Sequence, residues 1–598
     1  LLRFGGQLEQ KDWIVFGLSV SGVVVLKLMV FLWFRVHHIL GRYVTFQDLI
    51  TLFYAATVGS GVLAVIIYYL ISYNEIPRAV LVLDWGGTLL AVGGILAVLR
   101  VLHEYNLPPF AFFYKKISTL IVGAGEEGES LLYAILRNRK MNYHVVGFID
   151  EDPQRVGTRV GGARVLGTVP ETCQIAAHYG VTEILISTGA LYGRQVRRLV
   201  DEARQRQMHV KVLPSFEQLL SGNLDVQPRP VAIEDLLRRE PVQLELENLR
   251  QWLDHRVLMV TGSAGSIGSE ICRQLLKFSP KRLVLVDRWE TGQFFLEQEL
   301  SKLCGEVEID VQIADLLEEK RMRDLLDACR PDIIFHAAAY KHVPLMEKHP
   351  YEAVRNIVLA TRTLANLSME CGVDSFVMVS TDKAVNPTNV MGACKRVAEL
   401  FVQSLAADSP CRFVTVRFGN VLDSSGSVVQ VFRQQIAHGG PVTVTDPGIV
   451  RFFMTIPEAS RLVIQAGAIG NSGEILVLDM GEPVRIVDLA NDMIRLSGLE
   501  VGRDIEIVFI GLRPGEKLFE ELHYADAKYL HTRHPKILVL SGARRDPQTL
   551  HAGVDRLLNL GDSNPWRIVE HLRDLVPEYK PGSSSPYAAA EPAAAPSA

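Results

Sequence analysis

Residues 257–268 read VLMVTGSAGSIG, an apolar run that ends in Thr261 and breaks into glycines at 262, 265 and 268. A short buried strand entering a glycine turn suits a dinucleotide: bare backbone lets a pyrophosphate come close, and the following helix offers it a positive N-terminus. Ile267, Ile271 and Leu275 recur at helical spacing and give that helix an apolar face. Working outward, apolar runs at Leu283–Val286, Val311–Ala314, Ile333–His336, Phe376–Val379 and Phe413–Val416 alternate with helical patterns. That alternation predicts a parallel sheet with helices on both faces.

The arrangement occurs once more upstream. Ile117–Gly125 reads as a strand entering Gly123, Gly125 and Gly128, and strands are expected at Val145–Ile149, Val165–Gly167, Ile184–Ser187 and Val210–Leu213, with Asp150 and Glu151 after the second strand. This is a small Rossmann-like unit over residues 111–214. No acid–base residues follow its glycine turn, so nucleotide binding and a packing role both stay open. Residues 215–255, with Pro228, Pro230 and Pro241, are expected to form a connector with short helices. The larger domain runs over 256–545, C-terminal helices over 546–580, and a Pro-, Ala- and Ser-rich tail over 581–598 is expected to be disordered.

The first 110 residues differ in composition. Trp13–Phe34, Leu49–Ser72 and Ala79–Leu102 are each near the roughly 20 residues a helix needs to cross the hydrocarbon layer, and the mean hydropathy of +0.16 is high for a soluble chain. They are read as transmembrane helices. The expected fold class is thus α/β, with N-terminal transmembrane helices followed by two Rossmann-like doubly wound domains. Arg35, His37, His38 and Arg42, then Glu75 and Arg78, then Arg100, Lys115 and Lys116 flank the spans. The basic flanks predict a multi-pass protein of a bacterial inner membrane with its catalytic domains cytoplasmic. Three spans leave Leu1 outside, and the lack of an initiator Met predicts a preceding span. Lys27 and Asp84 fall inside two spans; with no partner evident, both are read as reaching toward a membrane face.

Lys and Arg number 62 against 67 Asp and Glu, a net charge of −5 that argues against a nucleic-acid partner. The seven cysteines are scattered, odd in number and without CxxC spacing, so neither a disulfide framework nor a metal site is expected.

The strand ends carry the chemistry. Asp287 closes the second strand, where a carboxylate accepts hydrogen bonds from adenosine ribose hydroxyls and repels the extra phosphate of NADP, so NAD is expected; Arg288 beside it pulls the other way. Asp315 closes the third, placed to meet the adenine amine or to cap a helix. Ser380-Thr381-Asp382-Lys383 closes the fifth, and Met391 and Lys395 share a face of the next helix. His336 reads as a packed strand-end histidine.

Six segments occur in order: TGSAGSIGSE (261–270), HAAAYKHVPLME (336–347), VSTDKAVNPTNVMGACKR (379–396), VRFGNVLDSSGSV (416–428), RFFMTIPEA (451–459) and GLRPGEKLFEEL (511–522). On these the chain resembles the extended short-chain dehydrogenases, and within them the membrane-anchored UDP-N-acetylglucosamine 4,6-dehydratases of bacterial polysaccharide and glycoprotein-glycan pathways. The resemblance implies a lyase that uses NAD to convert a UDP-N-acetylhexosamine to its 4-keto-6-deoxy form, a membrane association and a homo-oligomer. Hydride leaves carbon 4, water is lost across carbons 5 and 6, and hydride returns at carbon 6.

Residue by residue, the resemblance implies that Gly262, Ser263, Gly265, Ser266, Ile267, Gly268, Asp287, Asp315, Leu316, Ala337, Ala338 and Lys395 hold the cofactor. The substrate falls to Lys341, Asn420, Ser424, Ser427, Val428, Arg451, Arg513 and Glu516, the arginines as forked donors for phosphate oxygens. Thr381 would hydrogen-bond the carbon 4 oxygen, Lys383 act as base at carbon 5 and Asp382 as acid for the departing hydroxyl. That division requires the Lys383 pKa to fall, by burial or a nearby cation such as Lys395, and the Asp382 pKa to rise.

Most of the family carries Tyr-x-x-x-Lys where this chain reads Met391-Gly392-Ala393-Cys394-Lys395. A thioether carries no proton, so Asp382, relayed through Thr381, is expected to take the carbon 4 hydroxyl proton and pass it to the leaving hydroxyl. Two other readings stand beside this one. A nucleotide-sugar 4-epimerase shares the first oxidation but has no hydroxyl to expel; a non-catalytic membrane-bound sensor would make Met391 a mark of lost chemistry.

Overall fold

The computed structural model describes residues 10–34, 36, 46–70, 78–104, 116–137, 141–187, 190–213, 229–231, 233–237, 244–407, 409–524, 528–541, 546–562 and 564–588. It divides into two compact units, residues 1–116 and 117–598.

The first unit holds three helices, Gln10–Trp33, Phe46–Leu70 and Arg78–Glu104, of 24, 25 and 27 residues. Among the described residues no helix is long and apolar enough to cross a membrane. This overturns the expected transmembrane helices and the multi-pass inner-membrane location that rested on them. A span needs an apolar run sustained over its length, and polar residues interrupt each of these helices. Several close on one another: Lys27 Nζ lies 2.6 Å from Asp84 Oδ1 and donates to Thr88 Oγ1, while Ser60 Oγ donates to Asp84 Oδ2 at 2.9 Å. Lys27 and Asp84 thus partner each other instead of reaching outward. The flanking Arg35, His37, His38, Arg42, Glu75 and Lys115 lie outside the described residues.

The second unit contains two Rossmann-type sheets. In the smaller, five strands run parallel in the spatial order Ala163–Thr168, Tyr143–Asp150, Ile117–Val122, Glu183–Ile186 and His209–Val212. The short strands Arg159–Val160 and Arg229–Pro230 add antiparallel edges. Of the connector expected over 215–255, residues 215–228, 232 and 238–243 lie outside the described residues; Ile233–Leu237 and Leu246–Leu253 are helices.

The larger sheet has nine strands. In spatial order they are Glu308–Ile313, Arg282–Asp287, Val257–Thr261, Ile333–His336, Ser375–Thr381, Arg412–Phe418, Glu474–Leu478, Ile537–Ser541 and Lys528–His531. The first seven are parallel and the last two antiparallel. Leu258, Met259, Leu283, Val284, Ile334, Phe335, Phe376, Val377, Phe413 and Val414 are fully buried, as expected for strands covered by helices on both faces. Strand order reverses between Val257–Thr261 and Ile333–His336, and ligands of such sheets bind beyond the strands' carboxyl ends at that reversal. Thr261 and Thr381 therefore end at one rim.

The helix Gly193–Gln205 of the smaller domain contacts Ile486–Leu496 of the larger, with Arg197 2.6 Å from Asp492, and one apolar core runs through both domains. The chain end is also part of the fold. Residues 581–588 were expected to be disordered, yet Lys580 N donates to Pro387 O, Gly582 N to Thr388 O and Ser585 Oγ to Glu347 Oε2 at 2.6 Å, and Tyr587 is buried. These polar contacts hold a segment that lacks an apolar period. Residues 589–598 lie outside the described residues.

Candidate functional site

The glycine turn has the shape a dinucleotide requires. Gly262 sits at φ +71°, and a Cβ there would lie 2.6 Å from Ala338 N, so backbone alone fits between the two strand ends. Gly265 caps the helix Ser266–Leu276 without a side chain, and no acidic residue occupies its first turn. The free N–H groups and the helix dipole favour a pyrophosphate there. Ser263 and Leu316 are buried, and Ser263 Oγ donates to Gln293 Oε1 at 3.1 Å.

Asp287 braces this turn. Its Oδ2 accepts from Ala264 N at 3.1 Å and its Oδ1 from Trp289 N at 3.0 Å. Arg288, which would favour NADP, is turned aside: Nη1 donates to Asp315 Oδ2 at 3.2 Å, Nη2 donates to Tyr340 Oη, and the guanidinium lies over the Tyr340 ring. Asp315 also accepts from Leu317 N, so it is an ion-paired loop brace with much of its accepting capacity used.

At the neighbouring rim the strand Ser375–Thr381 runs into a tight turn, Asp382–Ala384. Thr381 Oγ1 donates to Asp382 Oδ1 at 2.8 Å, and Lys383 Nζ donates to the same oxygen at 2.9 Å and to Asn420 Oδ1 at 2.9 Å. Asp382 is 2% exposed, and its Oδ2 has no hydrogen-bond partner among the described residues. The Lys383 ammonium departs from expectation. Burial alone would lower its pKa, but the charges of Asp382 and Glu520 and the hydrogen bond to Asp382 hold it above the ordinary lysine range. It rests as a cation.

The depressed lysine is Lys395 on the helix Val390–Leu405. Burial brings it to about 8 against an opposing pull from Glu399, and its Nζ donates to Val379 O at 3.0 Å. Met391, one turn earlier, is buried in the core. A Cβ on Gly392 would strike the Lys383 carbonyl, so only glycine lets this helix approach the turn so closely. Behind the strand, Glu399 is fully buried and accepts from Arg417 Nε at 2.6 Å and Ser380 Oγ at 2.7 Å. Burial would raise that carboxyl; Arg417, Arg396 and Ser380 hold it low. His336 bridges Thr261 Oγ1 and Thr361 Oγ1 at 2.8 and 3.0 Å and is pushed down to about 3 by burial and the Lys395 charge, so it packs as a neutral ring.

The loop after Asn420 closes toward the glycine turn. Ser425 N donates to Ser266 Oγ at 3.1 Å, Lys341 Nζ reaches Ser424 Oγ at 3.3 Å, and Ser427 caps the helix Val428–Ala437 with its backbone, its hydroxyl unpaired among the described residues. Lys341 is lowered by burial of its ammonium and by the Lys383 charge.

Two expected substrate handles behave otherwise. Arg451 is buried, its guanidinium spent on Val450 O at 2.7 Å, Lys517 O at 2.7 Å, Leu518 O at 3.2 Å and Glu516 Oε1 at 3.5 Å. It is a strut for residues 516–520 more than a free phosphate clamp. Glu516 also accepts from Arg513 N at 3.1 Å, which leaves it largely committed. Arg513 is exposed at the start of that turn.

Glu520 is the residue that sequence reasoning missed. It is buried, with Oε1 3.9 Å from Arg451 Nε, Oε2 unpaired among the described residues, and a pKa raised chiefly by burial. It lies within the motif at 511–522, but three glutamates occur there and spacing does not say which faces inward.

Residues 258–542 match the family model described as a polysaccharide biosynthesis protein, and residues 38–214 one described as a CoA-binding domain. The chain is 42% identical over 493 residues to the capsular polysaccharide biosynthesis protein CapD of Staphylococcus aureus, covering 82% of each chain. Over 282 residues it is 30% identical to a UDP-N-acetylglucosamine 4,6-dehydratase (inverting) of Campylobacter jejuni, covering 46% of this chain and 79% of that one. Over 274 residues it is 31% identical to a UDP-glucose 4-epimerase of Rickettsia rickettsii, covering 45% and 77%. Similarity alone does not choose between those two reactions.

Proposed function

The chain belongs to the polysaccharide biosynthesis proteins of the extended short-chain dehydrogenase family, and from that premise we propose that it removes water across carbons 5 and 6 of a UDP-N-acetylhexosamine, UDP-N-acetylglucosamine first among them, to give the 4-keto-6-deoxy sugar. The observation that carries this reading is the Thr381–Asp382–Lys383 cluster, with both side-chain neighbours donating to one Asp382 oxygen. An epimerase has no hydroxyl to expel and no use for such a pair.

The cradle at Gly262, Gly265 and Gly268 supports a nicotinamide dinucleotide, and the engagement of Arg288 with Asp315 and Tyr340 favours NAD over NADP. A nicotinamide held there would supply the hydride acceptor for carbon 4 and the hydride donor for carbon 6. Thr381, donating to Asp382 and accepting from Lys383 N at 3.4 Å, keeps one lone pair for the carbon 4 hydroxyl, so the proton passes through Thr381 to Asp382. Asp382, now neutral, protonates the departing carbon 6 hydroxyl. Lys383, after releasing its resting ammonium proton to solvent, takes the carbon 5 hydrogen and returns it. Met391 has no proton to exchange, which is why the relay runs through Asp382.

The test is incubation of the purified full chain with NAD and UDP-N-acetylglucosamine, read by mass spectrometry. The expected product is lighter by one water. A product of unchanged mass would replace this reading with epimerisation, and no product from any UDP-N-acetylhexosamine would remove it.

A further inference from the structure

The proposed chemistry sits on three consecutive residues, Thr381, Asp382 and Lys383, and a misplacement of about 1 Å in such a constellation costs on the order of 100-fold in rate. Both flanks of the turn are tied down. At the front, Ser380 Oγ donates to Glu399 Oε1 at 2.7 Å, and one residue earlier Val379 O accepts from Lys395 Nζ at 3.0 Å. Lys395 and Glu399 lie one turn apart on the helix Val390–Leu405, so that helix grips the strand at two successive residues. At the back, Ala384 O accepts from Tyr524 Oη at 3.3 Å. Arg417 joins the two flanks. Its Nε donates to Glu399 Oε1 at 2.6 Å, and its Nη2 donates to Glu399 Oε2 and to Tyr524 Oη at 3.4 Å. Arg417 Cζ is 5.4 Å and Arg396 Cζ 5.7 Å from the centroid of the Tyr524 ring, and Arg396 Nη1 donates to Glu399 Oε2 at 3.1 Å.

Arg417 also stands opposite Ser380 in the sheet. Two residues on, a Cβ at Gly419 would lie 3.0 Å from Asp382 Oδ2, and the next residue, Asn420, accepts from Lys383. The strand that carries Arg417 therefore also leads into one wall of the site. Glu399 is 0% and Arg417 1% exposed. Desolvation cancels much of the attraction in a pair buried so deeply, and apolar residues of similar volume often serve stability as well. Fixed hydrogen bonds to Ser380 and Tyr524 are what apolar residues would not supply.

We propose that the buried Glu399–Arg417 pair is a brace that sets the geometry of the Thr381–Asp382–Lys383 turn from both ends, Glu399 through Ser380 and Arg417 through Tyr524 and Ala384. Its catalytic meaning rests on the dehydration reading above. All four side chains act through the turn and are positioning residues.

The test uses the full chain and leaves the pair in place, because removing one partner strands a buried charge. Ser380→Ala and Tyr524→Phe each delete one hydroxyl, and a double variant deletes both, each protein being confirmed as folded by its melting curve. Each single change is expected to lower kcat for water loss roughly 2- to 10-fold, with KM for UDP-N-acetylglucosamine and the affinity for NAD within about twofold of wild type. The double variant is expected to lose more than the product of the two, because either anchor alone still restrains the turn. Without substrate, hydrogen exchange read by mass spectrometry is expected to quicken over residues 381–385 while the helix Ser266–Leu276 exchanges as in wild type. Wild-type kcat and wild-type exchange in the double variant overturn the proposal. So do losses that simply multiply, which would make the anchors independent, and a loss of NAD affinity or rise in KM that matches the fall in kcat, which would make the pair a general support. Failure of wild type to release water would overturn the dehydration reading alone, with the exchange measurement still deciding the brace.

Discussion

Asp382 has one oxygen shared by Thr381 and Lys383 and a second that is buried and unpaired among the described residues, so its carboxylate organises both neighbours, and in the proposed relay it also carries the proton. Asp382→Asn keeps the shape and removes the proton acceptor. Turnover, followed as loss of water by mass spectrometry, is expected to fall by about 100- to 10,000-fold, with the fold intact by circular dichroism. Lys395 gives a prediction of another kind. Its ammonium titrates at about 8 in the folded chain against 10.5 when unfolded, so between those values the folded state binds fewer protons. Stability therefore rises as pH climbs through that window and is lowest below it. Without added nucleotide, the melting temperature of wild type relative to Lys395→Met is expected to increase from about pH 8 to about pH 10.

At the scale of elements, the glycine turn and the lysine helix are built by close approach. Gly262→Ala puts a methyl group 2.6 Å from Ala338 N at a positive φ, which is expected to cost about 1–3 kcal/mol. Titration with NAD should show weakened binding, and the melting temperature should drop. The parallel strands and both glycine turns were legible in the sequence because β-branched runs ending in glycine have few other uses. The turn Thr381–Lys383 was equally plain. What stayed hidden depends on which way side chains point. Arg451 reads as a phosphate ligand by residue type, yet it faces inward because Val450 O, Lys517 O and Leu518 O converge on its guanidinium. Lys383 was expected to be depressed by burial, but the adjacent Asp382 charge and hydrogen bond, with the Glu520 charge from 137 residues further along the chain, reverse the sign. The N-terminal helices lie where apolar composition placed them, but composition did not reveal that Lys27 and Asp84 would pair.

At the scale of the catalytic unit, the chain closes on itself. Ser585 Oγ and Val390 N both donate to the buried Glu347 carboxyl, Tyr587 Oη donates to Glu347 O, and Ser584 Oγ donates to Arg513 O. Truncation after Lys580 strips Glu347 of two partners, Ser585 on its carboxyl and Tyr587 on its carbonyl. The loss is expected to be about 1–3 kcal/mol, seen as a lower melting temperature of the truncated protein, and turnover should weaken with it because Val390 begins the lysine helix.

The last described stretch, residues 581–588, touches both the entry to that helix and the turn at Arg513. An affinity handle fused immediately after Ala588 would hang beside the proposed site, and immobilising the protein on a bead there would tug at the segments that build it. For tethering or display, a generous spacer on that side is the safer engineering choice.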